Sequence, residues 1–361
     1  MVGEAYFILI SMNANMKQFK ELLESTKVPQ NLSESEQKSL FKPLLEFTQS
    51  IVPPKLYRYR SCSEKQFDAL NNDIIYASTA DKFNDPYDCL IRVDKKFVMD
   101  SVSNGASKAY IRSLRDILNS GKSLPAPLNE MFGDVLSKAI SDVLIQLSDE
   151  DLESFEEAFA VIRPRLYQDV ESIVDNAVKY MRQQTHVACF SETIKSVTMW
   201  SHYAESHKGF ALEYDMREYM TQCDKCEKKQ ECPNKVFTNL YPVIYSRKRY
   251  DATNFVDYYI GLSYGFSPMM DDVLFFNKAA LYKSPQWSYE KEWRLFLGKK
   301  DAHNQPCLVV NLRPTAIYYG NDISPINKKI LSDMAKEKGI KEYQMYLDVE
   351  SDEYSMRYRR I

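Results

Sequence analysis

Glycine is scarce. The chain has 10 glycines in 361 residues, about 3% against a usual ~7%. No G-x-G-x-x-G occurs in it. Gly121-Lys122-Ser123 has Asp116 where a phosphate-cradling loop needs a glycine. Nucleotide binding through a Gly-rich turn is therefore not supported. A basic excess is missing too: 47 Lys and Arg against 50 Asp and Glu leave a net charge of −3. General nucleic-acid binding is not expected of such a chain. No apolar run reaches ~18 residues, so neither a transmembrane helix nor a membrane partner is expected. Tyr6-Phe7-Ile8-Leu9-Ile10 is a short apolar patch without basic residues before it or a small-residue cleavage site after it. It makes a poor export signal, and Met12 or Met16 would serve equally well as the start. Seven cysteines are an odd number at low density, which points to a reducing cytoplasm.

What is present reads as globular. Hydrophobic residues make up 44% and charged residues 27%, an ordinary mix that excludes a wholly disordered chain. The length allows about two domains of ~150 residues or one enlarged domain. Residues 13–50 carry the periodicity of two helices, with cap-like residues at Asn31 to Glu36 and a stop at Pro53-Pro54. Strand patterns follow at 55–60 and 74–77. Residues 97–185 then lose strand character and predict helices at 106–118, 131–147, 152–162 and 164–181. Strand patterns return at 186–191, 209–214, 236–245, 293–297, 307–311 and 316–319, with Pro242 marking an edge or a bulge. A helix at 326–338 and two strands close the chain. The expected fold is α+β: a mainly antiparallel sheet core with a helical insertion subdomain. The expected organisation is a helical segment 1–54, then an α+β domain 55–361 holding the insertion at about 97–185 and a cysteine-containing loop at 223–233.

Five constellations can carry chemistry. In Tyr57-Arg58-Tyr59-Arg60, strand alternation puts both arginines on one face and both tyrosines on the other. Two guanidiniums on one face need carboxylates or a phosphate-like anion. In Trp287-Ser288-Tyr289-Glu290-Lys291-Glu292-Trp293-Arg294, an early strand start would align Glu290, Glu292 and Arg294. A carboxylate pair beside an arginine can orient a sugar hydroxyl and stabilise an oxocarbenium-like transition state, or can simply pair with neighbouring strands. In Cys189-Phe190-Ser191-Glu192 and Met199-Trp200-Ser201-His202-Tyr203, Ser191 ends a strand. There Trp200 and Tyr203 can stack on a ring or fill the core, and His202 belongs to the acid–base class. Cys223-Asp224-Lys225-Cys226, with Cys232 beyond, has the spacing of one edge of a structural zinc site. A fourth ligand would come from Cys189, Cys307 or a histidine; free thiols in an oxidation-prone loop, or an iron–sulfur cluster, are the alternatives. Phe83-Asn84-Asp85-Pro86-Tyr87-Asp88 is either turn chemistry or a sugar or cation contact.

Taken in order, Leu56 to Arg60, Phe83 to Asp88, Cys189 to Glu192, Met199 to Ala204, Lys208-Gly209-Phe210 and Trp287 to Arg294 resemble the bacterial family called domain of unknown function 2971. The resemblance spans about 55–350 and implies no activity. A weaker one is to ADP-ribosyltransferases of the Arg-Ser-Glu type, although the usual Ser-Thr-Ser is replaced by Ser191-Glu192-Thr193. It implies NAD as substrate and a macromolecular acceptor. Arg60 or Arg58 would hold the phosphates or ribose, and Ser191 would support the nicotinamide ribose. Glu292 would stabilise the transition state and Glu290 orient the acceptor, with Trp200 or Tyr203 stacking on nicotinamide. The competing readings are a nucleotide- or peptide-binding sensor module without catalysis, and a metal-dependent hydrolase using Asp85, Asp88 and the glutamates. An NAD enzyme needs Arg60, Ser191 and Glu292 on one cleft. A sensor needs the charges paired with no open cavity. A hydrolase needs Asp85 or Asp88 near the glutamates.

Overall fold

The computed structural model describes residues 2–98, 106–219, 238–263, 270, 272–298, 307–352, 354 and 356–361. Two N-terminal helices, α1 (Val2–Ser25) and α2 (Glu34–Ile51), open the chain. Ser33 caps α2 through a capping box: its backbone N–H donates to Glu36 at 2.9 Å, and its hydroxyl accepts from the Glu36 N–H. Phe19, Leu23 and Leu44 of this pair pack in one core cluster with Val187, Tyr282 and Phe296. Strand β1 (Lys55–Arg60), helix α3 (Glu64–Asn71) and β2 (Ile74–Thr79) follow.

The middle block contains α4 (Ala106–Asn119), α5 (Ala126–Gln146) and α6 (Asp151–Gln184). Ile111, Leu114, Leu118, Leu124, Leu128 and Leu144 give it a small core of its own. Two expected helices are one here, because α6 runs through Pro164. A proline removes a single backbone donor, and the helical turns on either side carry the segment through.

The rest of the chain builds the sheet: β3 (His186–Ser191), helix α7 (Val197–Tyr203), β4 (Phe210–Asp215), β5 (Leu240–Pro242) and β6 (Ile244–Tyr245). Helices α8 (Thr253–Ser263) and α9 (Phe275–Ala279) and strand β7 (Tyr282–Lys283) lead to β8 (Glu292–Leu297) and β9 (Cys307–Asn311). Strand β10 (Ala316–Tyr319), helix α10 (Pro325–Lys338), β11 (Lys341–Leu347) and β12 (Met356–Arg360) complete it. The protein is α+β, with a ten-stranded sheet ordered β12-β11-β10-β4-β1-β3-β2-β9, to which β8 and β5 add beside β3. Its ladders are antiparallel except β10 with β11. The expected strand at 236–245 is divided among the described residues: β5 pairs with β8 alone, and after Pro242 the chain leaves to pair β6 with β7. A proline at the end of an edge strand forfeits no ladder bond.

One feature of the pairing shapes the molecule. Strand β3 is bonded to β8 along its whole length. Its other edge is shared. Strand β1 meets it only at Tyr57–Ser191, and β2 only at Ser78–Val187 and Thr79–His186. Strands β1 and β2 therefore diverge from β3, and the sheet is split by a wedge between them. Gly209, at the entry to β4, lets the end of β1 come close: a Cβ there would stand 2.1 Å from the Arg60 carbonyl oxygen. Only glycine fits such an approach.

Candidate functional site

A cavity of about 420 Å³ opens at the wedge, within the size range of small-molecule sites. Its lining includes Arg58, Arg60, Ser191, His202, Tyr203, Glu290 and Glu292, all assigned a nucleotide-binding or catalytic place from the sequence. Asp88, Cys189 and Lys283 join them.

Ladder partners share a sheet face. Tyr57 faces Ser191, Ser191 faces Glu292, and Cys189 faces Arg294. Glu292 and Arg294 thus leave the sheet on the face of Tyr57 and Tyr59. Arg58 and Arg60 leave it on the opposite face, with Phe190. Glu292 and the two β1 arginines line one cavity because the sheet is split between them. Arg58 is 7% exposed. Its guanidinium lies 5.2 Å from the Phe190 ring, and Nη2 donates to the Tyr76 carbonyl at 3.3 Å. Among the described residues, Nε and Nη1 have no hydrogen-bond partner. Burial, then the neighbouring Arg60 charge, lower its pKa to about 9.

The acidic side is arranged in the opposite sense. Glu292 accepts from Arg294 Nε at 2.8 Å and from Lys283 Nζ at 2.9 Å. Arg294 donates twice to Asp88, at 2.8 and 2.6 Å. Lys283 reaches Glu290 at 2.5 Å and Asp88 at 3.4 Å. Tyr203 donates to the other oxygen of Glu290 at 2.5 Å. Two cations thus stand among three buried carboxylates, which leaves one negative charge in excess when all are ionised. Burial alone would raise the Glu292 pKa, yet Arg294 and Lys283 hold it far below the usual carboxylate range. Burial disfavours the Lys283 charge, but Glu292, Asp88 and Glu290 more than compensate and hold its pKa well above that of a free lysine. Glu290 differs: burial and the Glu292 charge push it up to about 6. The two glutamates are therefore unequal, one a fixed charge and one poised to exchange a proton.

Glu290 is not placed by strand alternation. The strand starts at Glu292, and Glu290 ends a short 3-10 turn, Pro285–Glu290. Lys291 turns the chain between them with φ 44°. The Ser191 hydroxyl fixes this corner, donating to the Glu290 carbonyl at 2.6 Å and accepting from the Thr193 N–H at 3.2 Å. Ser191 is thus a positioning group with its hydroxyl already engaged. His202 is exposed and bonded to the Tyr289 hydroxyl at 3.1 Å, with the rings of Tyr203, Trp287 and Tyr289 around it.

Two expected contacts fall elsewhere. Trp200 does not line the cavity. It is fully buried, packs edge-on to Tyr59 at 5.1 Å and donates to the Ile194 carbonyl at 2.8 Å. An indole satisfied inside the core cannot stack on a ligand. Arg294 is also fully buried and acts from behind the cavity wall, through Glu292 and Asp88. Asp85 forms a turn, accepting from the Tyr87 N–H at 2.9 Å. Asp88 does approach the glutamates, but Lys283 and Arg294 occupy the space a bridging metal would take. Cys223, Cys226 and Cys232 lie outside the described residues. Among the described residues no group of three or more His, Cys, Asp or Glu side chains could hold a metal ion, and no helix is long and apolar enough to cross a membrane.

The residue that sequence reasoning missed is Lys283. It lies in Tyr282-Lys283-Ser284-Pro285, a segment without periodicity, and β7 carries it to both glutamates. Asp88 was visible as part of an acidic turn but not as the partner of Arg294, which lies 206 residues away.

Residues 199–295 match the family model described as Protein of unknown function (DUF2971). The resemblance drawn from the sequence holds over that stretch, which contains most of α7, the approach of Gly209 and both glutamates. No curated protein and no solved structure matches the chain.

Proposed function

We propose that the cleft binds a nucleotide of the NAD class and cleaves its glycosidic bond, as in ADP-ribosyl transfer. The observation that carries this reading is Arg58, a nearly buried guanidinium without a carboxylate partner among the described residues, sharing one cavity with a carboxylate pair of unequal acidity. Arg58 and Arg60 would take the phosphates as charge-assisted partners. Glu292, held ionised by Arg294 and Lys283, would stabilise positive charge developing on the ribose. The bond from ribose C1′ to the nicotinamide nitrogen breaks, and its electron pair leaves with nicotinamide. The acceptor oxygen or nitrogen then bonds to C1′, and Glu290 takes the proton it loses. His202 and Tyr203 stand on the cavity wall beside Glu290, where an aromatic leaving group would rest.

A specific observation favours a second reading. Glu292 is already paired on both oxygens, as a sensor module that binds the nucleotide without cleaving it requires, although the cavity beside it is open rather than closed as that reading expected. Incubation with NAD, following free nicotinamide by chromatography, separates the two. Release by wild type and none by Glu290→Gln or Glu292→Gln supports cleavage. Tight NAD binding with no release, acceptor mixtures included, supports the sensor. Neither binding nor release contradicts both.

A further inference from the structure

A second cavity lies behind the first, under α3. It measures about 190 Å³ and shares Arg58 and Arg60 with the main cleft. Lys65 and Gln66 of α3, Tyr76 and Ser78 of β2 and Tyr214 of β4 are its other polar residues, and among the described residues no carboxylate lines it. We infer that this cavity is an oxyanion subsite that takes a single phosphate group.

Charge is the first argument. Three cationic side chains converge on a small space to which the described residues bring no counter-charge. Arg58 is more than nine-tenths buried, and among the described residues two of its three guanidinium nitrogens have no hydrogen-bond partner. A buried cation in that condition is costly until an anion reaches it. The guanidinium fork matches the oxygens of a phosphate, and Lys65 adds a point charge. Size is the second argument. The volume falls below the ~300 Å³ at which whole small-molecule sites begin, so it suits a tetrahedral anion and not a nucleoside. Geometry is the third. Lys65 Nζ stands 4.6 Å from the Tyr76 ring, so its ammonium is held at the β2 wall of the cavity. The Ser78 hydroxyl and Gln66 amide supply neutral donors.

The subsite does not depend on NAD chemistry; only the source of the phosphate rests on the reading proposed above. Because the two cavities share the arginine wall, a cleft ligand with an additional phosphomonoester would reach both. Free inorganic phosphate offers the same chemistry alone.

Calorimetric titration with inorganic phosphate tests the assignment. Wild type binds one equivalent. Lys65→Met, which keeps the aliphatic stem of an exposed residue, binds about ten-fold more weakly or worse, and Lys65→Arg restores binding. No binding by wild type at millimolar phosphate, or equal binding by Lys65→Met, overturns the subsite. Titration with NAD and NADP then separates the sources. If the cleft ligand carries the phosphate, NADP binds wild type about ten-fold more tightly than NAD, and Lys65→Met erases the difference. If free phosphate is the occupant, NAD and NADP bind alike. Nicotinamide release enters neither arm, so a cleft that binds but does not cleave NAD leaves this test standing.

Discussion

Arg294 donates two parallel hydrogen bonds to Asp88, at 2.8 and 2.6 Å, and neither side chain is more than 1% exposed. The pair ties the β8 strand of the sheet to the Phe83–Asp88 turn. It also explains why Glu292 can be buried and ionised: the same guanidinium holds both carboxylates.

Removing that guanidinium should be severe. Arg294→Met leaves Asp88 and Glu292 buried with Lys283 as their one remaining cation. Breaking a buried pair from one side costs about 3–5 kcal/mol. Urea denaturation of the variant should show a loss of that order, and a loss below about 1 kcal/mol would mean the cluster relaxes into water instead.

Glu290 should leave a mark on the pH dependence of stability. Its folded pKa is raised from 4.5 to about 6. The folded state therefore binds the proton more tightly than the unfolded chain. The contribution is fully present below pH 4.5 and lost as pH rises through about 6, amounting to about 2 kcal/mol. Glu290→Gln cannot titrate, so the stability of wild type relative to the variant should fall across that window. A constant difference between the two would remove the poised-proton assignment.

Trp200→Phe should separate core from site. The indole donates to Ile194 and fills the space against Tyr59. Its loss should lower stability by about 1–3 kcal/mol through the hydrogen bond and the packing. Affinity for any cleft ligand should not change. A variant of unchanged stability with weakened ligand binding would return Trp200 to the site.

Gly209→Ala tests the close approach of α7 and β1. A methyl group 2.1 Å from the Arg60 carbonyl must push backbone away, at a cost of about 1–3 kcal/mol. Because Arg60 moves with it, ligand binding should weaken along with thermal stability. Retention of both would show that the strand end yields freely.

Strands and helices were largely legible where local pattern governs them. Residues 186–191 and 307–311 read as strands from local β character, and Ser33 with Glu36 announced its helix start. Pro164 misled because a strong local breaker was overruled inside a long helix. For the site, Arg58, Arg60, Glu290 and Glu292 stood out as charges in apolar surroundings. Their opposite sheet faces did not, since the wedge arises from how β1 and β2 share the edge of β3. Lys283 was invisible for the same reason: its partners are gathered by tertiary pairing, not by spacing. Trp200 carries no sequence signal that separates a satisfied core indole from a stacking one.

The account turns on Arg58, a buried cation kept without an acidic partner. Arg58→Met keeps the aliphatic stem and removes the charge. An unpaired buried charge is costly, and even a buried ion pair replaced by apolar side chains is often neutral or stabilising by about 1–4 kcal/mol, so a higher urea midpoint is expected together with loss of ADP-ribose binding by calorimetry. Stability gained and ligand lost in one variant is the signature of a charge held for a ligand. A less stable Arg58→Met that binds ADP-ribose as wild type does would contradict it.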